Sequence, residues 1–154
     1  MYLAKLGYQV TAIDLSEVGL NKARVLAKEN DVEIKMIVVD LANFDFGINE
    51  WDGIVSISAH MHEPIRKRVH AQVAPSLREN GAFILEAYTY EHIQIEGIGH
   101  PPAAQEEMFM SLKDLTIELE RLDLVVGHEI QRDISEGKFH LSPSEVVQFI
   151  ALQK

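Results

Sequence analysis

Apolar runs of strand length alternate with segments of helical periodicity along the chain, and this alternation limits the possible folds more than any other feature. The segment "VTAIDLSEVGLNKARVLAKEN", residues 10–30, contains one such unit: a β-branched run, an aspartate at its end and then a helix pattern. Continuously apolar strands separated by helices are typical of parallel sheets, whose crossover helices cover the sheet. The order predicts an α/β, Rossmann-like fold with a mostly parallel sheet flanked by helices.

The boundaries of the elements follow from local patterns. Ser16 and Ser111 stand where N-caps of helices are expected, and Gly7 stands where a short first helix should end. Pro64 suits the first turn of a helix that Pro75 should kink or shorten near its end. Strands are predicted at residues 8–13 and within "VEIKMIVVD", "DGIVSIS" and "AFILEAY", the last preceded by a turn at Asn80 and Gly81.

The C-terminal part of the sequence departs from the strand–helix alternation. The segments "DLVVGHEIQRDISEG" and "SEVVQFIALQK" are two successive strand patterns, and "KFHLSP" between them contains Pro143, which favours a turn. We expect these two strands to form an antiparallel, hairpin-like edge of the sheet. At 154 residues the chain suits a single domain spanning residues 1–154.

Composition excludes several classes of function. The absence of cysteine excludes disulfides, thiol nucleophiles and cysteine metal sites. A net charge of −10 argues against nucleic acid as a partner, and the one basic group, Arg66, Lys67, Arg68 and His70, is expected on a solvated helix face. No segment approaches the roughly 20 apolar residues that span a membrane, and the start shows no signal peptide. We therefore expect a cytoplasmic protein that binds no membrane.

Acidic residues follow two of the predicted strands. In open parallel sheets, ligands bind beyond the carboxyl ends of the strands, where Asp14 and Asp40 are expected. A carboxylate in this position can accept hydrogen bonds from two vicinal ribose hydroxyls. The alternative is that Asp14 only caps the helix that begins near Ser16. The residues alone leave both interpretations open.

Successive segments of the chain resemble the motifs of class I S-adenosylmethionine (SAM)-dependent methyltransferases. These segments are "YLAKLGYQVTAIDLSEVGLNKARVLA", "VVDLANFDF", "WDGIVSISAHM" and "LRENGAFILEAYT". The segments "EAYTYEHIQ", "SLKDLTIELERLDL" and "QRDISEGKFHLSPSEVVQFIALQK" are similar to the C-terminal half of small bacterial tellurite-resistance-like methyltransferases. The resemblance covers nearly the whole chain, and it implies SAM as the cofactor and a small molecule as the methyl acceptor.

The resemblance also implies which residues hold the cofactor. Asp14, with Leu15 beside it, would bind the ribose hydroxyls, and Asp40 with the backbone of Leu41 would meet the adenine amino group. Ser58 would lie beneath the methionine part.

Two residues are candidates for the catalytic side of the site. His60 follows a strand end, where it would act as a general base or hold its loop by a hydrogen bond. Tyr88 ends the next strand, where it would line the acceptor pocket or pack at the rim. The acceptor itself would be set by the variable region of residues 89–107.

The chain departs from the family pattern at its start. A glycine-rich loop normally precedes the ribose-binding acid by about 20 residues, so this loop and its strand would fall before Met1. The strands ending at Ile13 and Ser58 would then lack their central partner, and we expect a homo-oligomer or strand exchange. We also expect weak or absent cofactor binding by the chain as given. The sequence leaves open whether Met1 is the true start.

Other functions remain as alternatives. One is a non-catalytic binding or assembly module derived from the methyltransferase fold. A nicotinamide-dependent dehydrogenase would share the strand-end acid but finds no support in the C-terminal segments. His60 and His62 would need a third ligand, such as His92, His100 or His140, so we expect no metal site. No GxSxG turn or phosphate-binding loop is present.

Overall fold

The computed structural model describes residues 1–95, 103–136 and 140–154, and the chain divides into two compact units, residues 1–45 and 46–154. Each unit combines helices with a sheet, so the predicted α/β class is confirmed. Whether the two units act as one domain stays a prediction. Within the described ranges, no helix is long and apolar enough to cross a membrane.

The first unit is built around one parallel pair of strands. Asp14 lies opposite Val38 in this pair, so both strands run toward the same edge of the sheet. The elements of the unit are α1 (Tyr2–Lys5), β1 (Val10–Asp14), α2 (Glu17–Glu29) and β2 (Ile34–Val38).

Local hydrogen bonds fix the helix ends in the first unit. Gly7 has a φ of +92° directly after α1, and Tyr8 N donates to Leu3 O at 3.2 Å, which completes a Schellman motif. Because the Tyr8 amide serves the helix end, β1 begins at Val10, and the prediction that it begins at Tyr8 was wrong. The Ser16 hydroxyl accepts from Gly19 N at 3.0 Å and is the predicted N-cap of α2.

The second unit contains a four-stranded sheet in the order β3-β4-β6-β5. The β3–β4 pair is parallel, and β6 pairs antiparallel with both β4 and β5. Two short 3₁₀ segments, Tyr90–Gln94 and Ala103–Met108, connect β4 to α4. The elements are β3 (Trp51–Ile57), α3 (Glu63–Ser76), β4 (Leu77–Tyr88), α4 (Leu112–Glu118), β5 (Leu122–Glu136) and β6 (His140–Gln153).

The core of the second unit lies between one sheet face and the helices α3 and α4. Ser111 caps α4 through a bond from Asp114 N at 3.1 Å, as predicted, and Leu115 of α4 is fully buried. The opposite sheet face keeps Val55 and Ile57 of β3 exposed at 49% and 44%. The largest members of the core cluster are Leu77, Phe83, Leu85, Met110, Leu115 and Phe149.

Prolines and glycines account for two irregularities of the sheet. Helix α3 ends at Ser76, immediately after Pro75, as predicted. The predicted turn at Asn80 and Gly81 is instead an irregularity inside β4, where Asn80 has a φ of +62° and the pairing with β3 changes register. A Cβ on Gly81 would lie 2.8 Å from the Arg78 carbonyl oxygen, so this tight path requires glycine.

The predicted turn at Pro143 was also wrong. Pro143 lies within β6, opposite Asp133 of β5. The pairing of β6 with β4 ends at Val146, so around Pro143 the strand has β5 on one side only. Proline is tolerated there because its lack of an N–H costs no hydrogen bond on the side of the strand that has no neighbouring strand. The connection between β5 and β6, residues 137–139, lies outside the described residues.

The basic group of α3 is not a uniformly solvated face, which corrects the prediction. Arg66 and His70 are 4% and 2% exposed, and both contact Glu118 of α4, at 3.0 Å from Arg66 Nη2 and 2.6 Å from His70 Nδ1. Burial by itself raises the pKa of Glu118, but the hydrogen bonds and charges of His70 and Arg66 outweigh it and lower the pKa from 4.5 to about 2. Only Lys67 and Arg68 of this group are exposed.

Candidate functional site

The two strand-end acids lie at one edge of the first unit's sheet. Asp14 is the last residue of β1, and Asp40 lies two residues beyond Val38, the partner of Asp14 in β2. With parallel strands about 5 Å apart and a rise of about 3.3 Å per residue, their Cα atoms are on the order of 8 Å apart. The predicted shared edge is therefore confirmed.

Each of these carboxylates holds its own turn with one oxygen. Asp14 Oδ1 accepts from Ser16 N at 2.7 Å, and Asp40 Oδ1 accepts from Ala42 N at 2.8 Å. Ser16 itself is the N-cap of α2, so Asp14 orients the turn before the helix without being its cap. Among the described residues, neither Oδ2 has a protein partner. The Oδ2 atoms of Asp14 and Asp40 are therefore held in place by these turns and can accept hydrogen bonds from a ligand.

The residues that follow the two acids lie in the same turns. Leu15 is 70% exposed between Asp14 and Ser16, and Leu41 is partly buried after Asp40. Carboxylate oxygens beside a backbone amide and an exposed apolar side chain suit a nucleoside, which offers hydroxyls, an amino group and a flat apolar ring. The acceptor oxygens and the apolar side chain at this edge of the first unit thus fit the adenosine part of SAM.

The second unit has its own edge where β3 and β4 end. Ser58 directly follows β3 with a φ of +53°, and its amide donates to Glu86 O of β4 at 2.9 Å. A residue other than glycine in this left-handed region costs about 1 kcal/mol or more, so the surrounding bonds must hold it there. The chain therefore turns sharply at the end of β3, at the predicted residue Ser58.

The two candidate catalytic residues are joined to each other at this edge. His60 Nε2 accepts from Tyr88 N at 3.1 Å, and the two rings stack with centroids 5.1 Å apart. The ring of Tyr88 is also stacked on His92 at 4.1 Å, and Tyr88 is only 3% exposed. The burial of Tyr88 fits the packing alternative that the sequence left open.

Glu86 lies two residues before Tyr88 in β4, and sequence reasoning missed its partners. Arg132 donates to both carboxylate oxygens of Glu86, at 2.5 and 3.1 Å, and Gln148 Nε2 donates to Oε2 at 2.6 Å. His128 Nε2 in turn contacts Gln148 Oε1 at 2.9 Å. Glu86, Gln148 and His128 are register partners on three adjacent strands, and no pattern in the sequence reveals that register.

The histidines considered as metal ligands are held in other ways. His62 Nδ1 donates to Glu107 Oε1 at 2.7 Å, and His92 is buried with its Nδ1 accepting from Glu145 N at 3.2 Å. In the part of the chain that the structure describes, no three His, Asp or Glu residues are grouped to hold a metal ion. His100 and the side chain of His140 lie outside that part.

A family model matches the chain, whereas a search of curated protein sequences finds no match. Residues 1–81, more than half of the 154-residue chain, match the model of a family described as a methyltransferase domain.

Solved structures share the fold. TehB from Haemophilus influenzae superposes with a TM-score of 0.76 at 15% identity, covering 99% of this chain and 52% of that protein, so the chain spans about half of its length. A SAM-dependent methyltransferase from Methanosarcina mazei gives 0.73 at 17% identity, covering 99% and 85%. A 1,6-didemethyltoxoflavin-N1-methyltransferase from Burkholderia thailandensis, solved with S-adenosylhomocysteine, gives 0.65 at 20% identity, covering 99% and 64%. These likenesses confirm the predicted Rossmann-like fold.

Proposed function

Because the chain belongs to the methyltransferase-domain family, we propose that it transfers a methyl group from SAM to a small-molecule acceptor. The observation that carries the proposal is the position of Asp14 and Asp40 at one edge of a parallel sheet, each with one oxygen fixed by its own turn. Support comes from one structural neighbour described as a SAM-dependent methyltransferase and from another methyltransferase solved with bound S-adenosylhomocysteine.

The residues of the first unit take separate parts of the cofactor in this proposal. Asp14 Oδ2 accepts from the ribose hydroxyls, and Leu15 offers an apolar contact beside it. Asp40, with the backbone of Leu41, meets the adenine amino group. Hydrogen bonds to a charged acceptor contribute about 1.5–3 kcal/mol each, so these two acids would supply much of the affinity. The assignment of Ser58 to the methionine part stays a prediction.

The chain's own contribution to the reaction is binding, orientation and exclusion of water. When bound, SAM supplies a methyl carbon on a positively charged sulfur, and the acceptor's lone pair takes that carbon while the electron pair of the broken bond stays on sulfur. Holding both reactants in line can remove about 7–11 kcal/mol of the barrier to such a displacement. The ends of β3 and β4, where His60 and Tyr88 lie, would form the acceptor side.

Calorimetric titration with SAM and with S-adenosylhomocysteine tests the proposal. Asp14→Asn and Asp40→Asn should each weaken binding by about 10-fold or more, because a neutral amide replaces the charged acceptor. Glu29→Gln is the matched control, since it removes an exposed acid from the same unit without touching this edge. Because binding by the unaltered chain is expected to be weak, the test is the ratio of its affinity to those of the variants. Equal affinity in all three variants would contradict the proposal, and no binding by the unaltered chain would favour the non-catalytic alternative.

A second candidate, an assembly function, is favoured by the strand edges. In the described part of the chain, β1 pairs only with β2 and β3 pairs only with β4, so each has one edge without a strand partner. Val55 and Ile57 leave one face of β3 apolar and exposed, and an open strand edge beside such a face is a template for pairing with another chain. We propose a homo-oligomer or strand exchange through the edge of β3.

Light scattering tests this assembly. The unaltered chain should have at least twice its monomer mass, and Val55→Lys should reduce that mass, because a charge blunts an open strand edge. A monomer at micromolar concentration with an intact circular dichroism spectrum would exclude the assembly and leave the methyltransferase proposal untouched.

A further inference from the structure

Three aromatic rings form a column in the second unit, close to the ends of β3 and β4. The ring of Tyr88 lies between those of His60 and His92, at 5.1 and 4.1 Å and with interplanar angles of 8° and 16°. Tyr88 and His92 are 3% and 1% exposed, whereas His60 is only partly buried. His60 is therefore the outermost ring of the column and the one closest to solvent.

A backbone amide fixes the protonation form of each histidine. Tyr88 N donates to His60 Nε2 at 3.1 Å, and Glu145 N donates to His92 Nδ1 at 3.2 Å. An amide nitrogen can only donate, so the ring nitrogen that faces it carries a lone pair and no proton. His60 is thus neutral with its proton on Nδ1, and His92 is neutral with its proton on Nε2.

This bond constrains what His60 can do in the proposed reaction. Uptake of a proton at Nε2 would put two N–H groups face to face and break the bond that joins the segment after β3 to the last residue of β4. The same segment contains Ser58, whose left-handed backbone depends on its bond to Glu86 O. Loss of the His60 bond would therefore loosen the whole turn that follows β3.

We infer that His60 is a positioning residue, held neutral by the Tyr88 amide, and that it is not the general base of the reaction. It fixes the turn of residues 58–61 against the end of β4, so that the acceptor side keeps its shape. A proton released by the acceptor passes to water and not to His60 Nε2. This inference rests on the proposed function, which it refines.

The first test is independent of activity. The protein contains seven histidines, and in a ¹⁵N-histidine-labelled sample the imidazole signals of His60 are those that disappear in His60→Gln. At neutral pH the ¹⁵N shifts should show a bare Nε2 and a protonated Nδ1. A protonated Nε2 would overturn the inference, whether or not the protein transfers methyl groups.

The second test compares two substitutions. In His60→Gln the amide oxygen can still accept from Tyr88 N, whereas His60→Ala removes the acceptor altogether. A lost general base costs about 100-fold or more in rate, so a positioning role predicts a smaller loss, below about 10-fold, in His60→Gln and a larger loss in His60→Ala. The acid limb of the kcat/KM profile should be the same in His60→Gln and the unaltered enzyme.

Two outcomes separate the inference from the proposed function. A loss of 100-fold or more in His60→Gln, together with disappearance of the acid limb, would identify a base and overturn the inference. If the unaltered protein transfers no methyl group to any acceptor offered, the proposed function fails. The ¹⁵N measurement still decides which nitrogen of His60 accepts the hydrogen bond from Tyr88 N.

Discussion

The two compact units of the chain differ in how much apolar surface they bury. In the first unit, residues 1–45, only Leu20 and Ala27 are buried, at 4% and 5% exposure, and Tyr2 and Val18 stay 72% and 65% exposed. In the second unit, the side chains of Phe83, Phe109 and Phe149 are at most 1% exposed. Two strands with one covering helix bury little apolar surface, whereas four strands packed on helices form a larger core.

This difference means that the candidate residues of the two units lie in surroundings of different stability. The acids proposed to hold the cofactor belong to the loosely packed unit, and the stacked rings belong to the well-packed one. A ligand that binds only an ordered form stabilises that form by mass action. Cofactor binding should therefore order the first unit more than the second.

The largest expected effect comes from truncating the core of the second unit. Phe83→Ala should lower the free energy of unfolding by about 4 kcal/mol, because it removes a buried aromatic ring and leaves a cavity. Leu20→Ala, its counterpart in the first unit, should cost about 2 kcal/mol or less, because its surroundings can collapse. Urea unfolding followed by circular dichroism measures both, and an equal or greater loss at Leu20 would break the comparison.

The next effect concerns the ion cluster of Arg66, His70 and Glu118, which only the second unit has among the described residues. Glu118→Gln should lower the free energy of unfolding by about 3 kcal/mol at pH 7, because it leaves the buried Arg66 without its counter-charge. Glu63→Gln, which breaks only the exposed pair with Lys67, should cost far less, because solvent screens that pair.

The same cluster predicts a dependence on pH. The pKa of Glu118 is lowered from 4.5 to about 2 on folding, so its stabilisation is fully present above about pH 4.5 and is lost as the pH falls toward 2. Unfolding measured at several pH values across this window should show a shallower decline in Glu118→Gln than in the unaltered chain. Parallel declines would show that the carboxylate does not carry this stability.

The smallest expected effect compares the two N-cap serines. Ser111→Ala should lower the global free energy of unfolding by about 1 kcal/mol, because α4 packs on the core. Ser16→Ala removes an equivalent cap from α2, but its effect should appear mainly as faster hydrogen exchange of the α2 amides. If Ser16→Ala lowers global stability as much as Ser111→Ala, the first unit unfolds together with the second.

The features that were predictable from the sequence depend on neighbours along the chain. The caps at Ser16 and Ser111 and the helix end at Gly7 involve bonds within a few residues, so their residue types identify them. The position of Asp14 and Asp40 at one edge follows similarly from strand patterns that each end in an acid. Parallel pairing then brings the two ends together.

The features that were missed depend on partners far along the chain. Arg66 is buried because Glu118, 52 residues later, meets it across two helices. Glu86 finds Arg132 and Gln148 at separations of 46 and 62 residues, and those contacts require the register of three strands. Pro143 is accepted inside β6 only because β4 ends its pairing at Val146. Residue type alone does not encode such long-range registers.

The order β3-β4-β6-β5 also affects how the protein emerges from the ribosome. Strand β5 is synthesised before β6, yet its only strand neighbour in the described sheet is β6. A nascent chain that has completed β5 therefore exposes two unjoined strand edges, those of β4 and β5, until the ribosome releases β6. Non-local pairing of this kind is slow and exposed to aggregation, so the half-built sheet is at greatest risk of aggregation before β6 pairs.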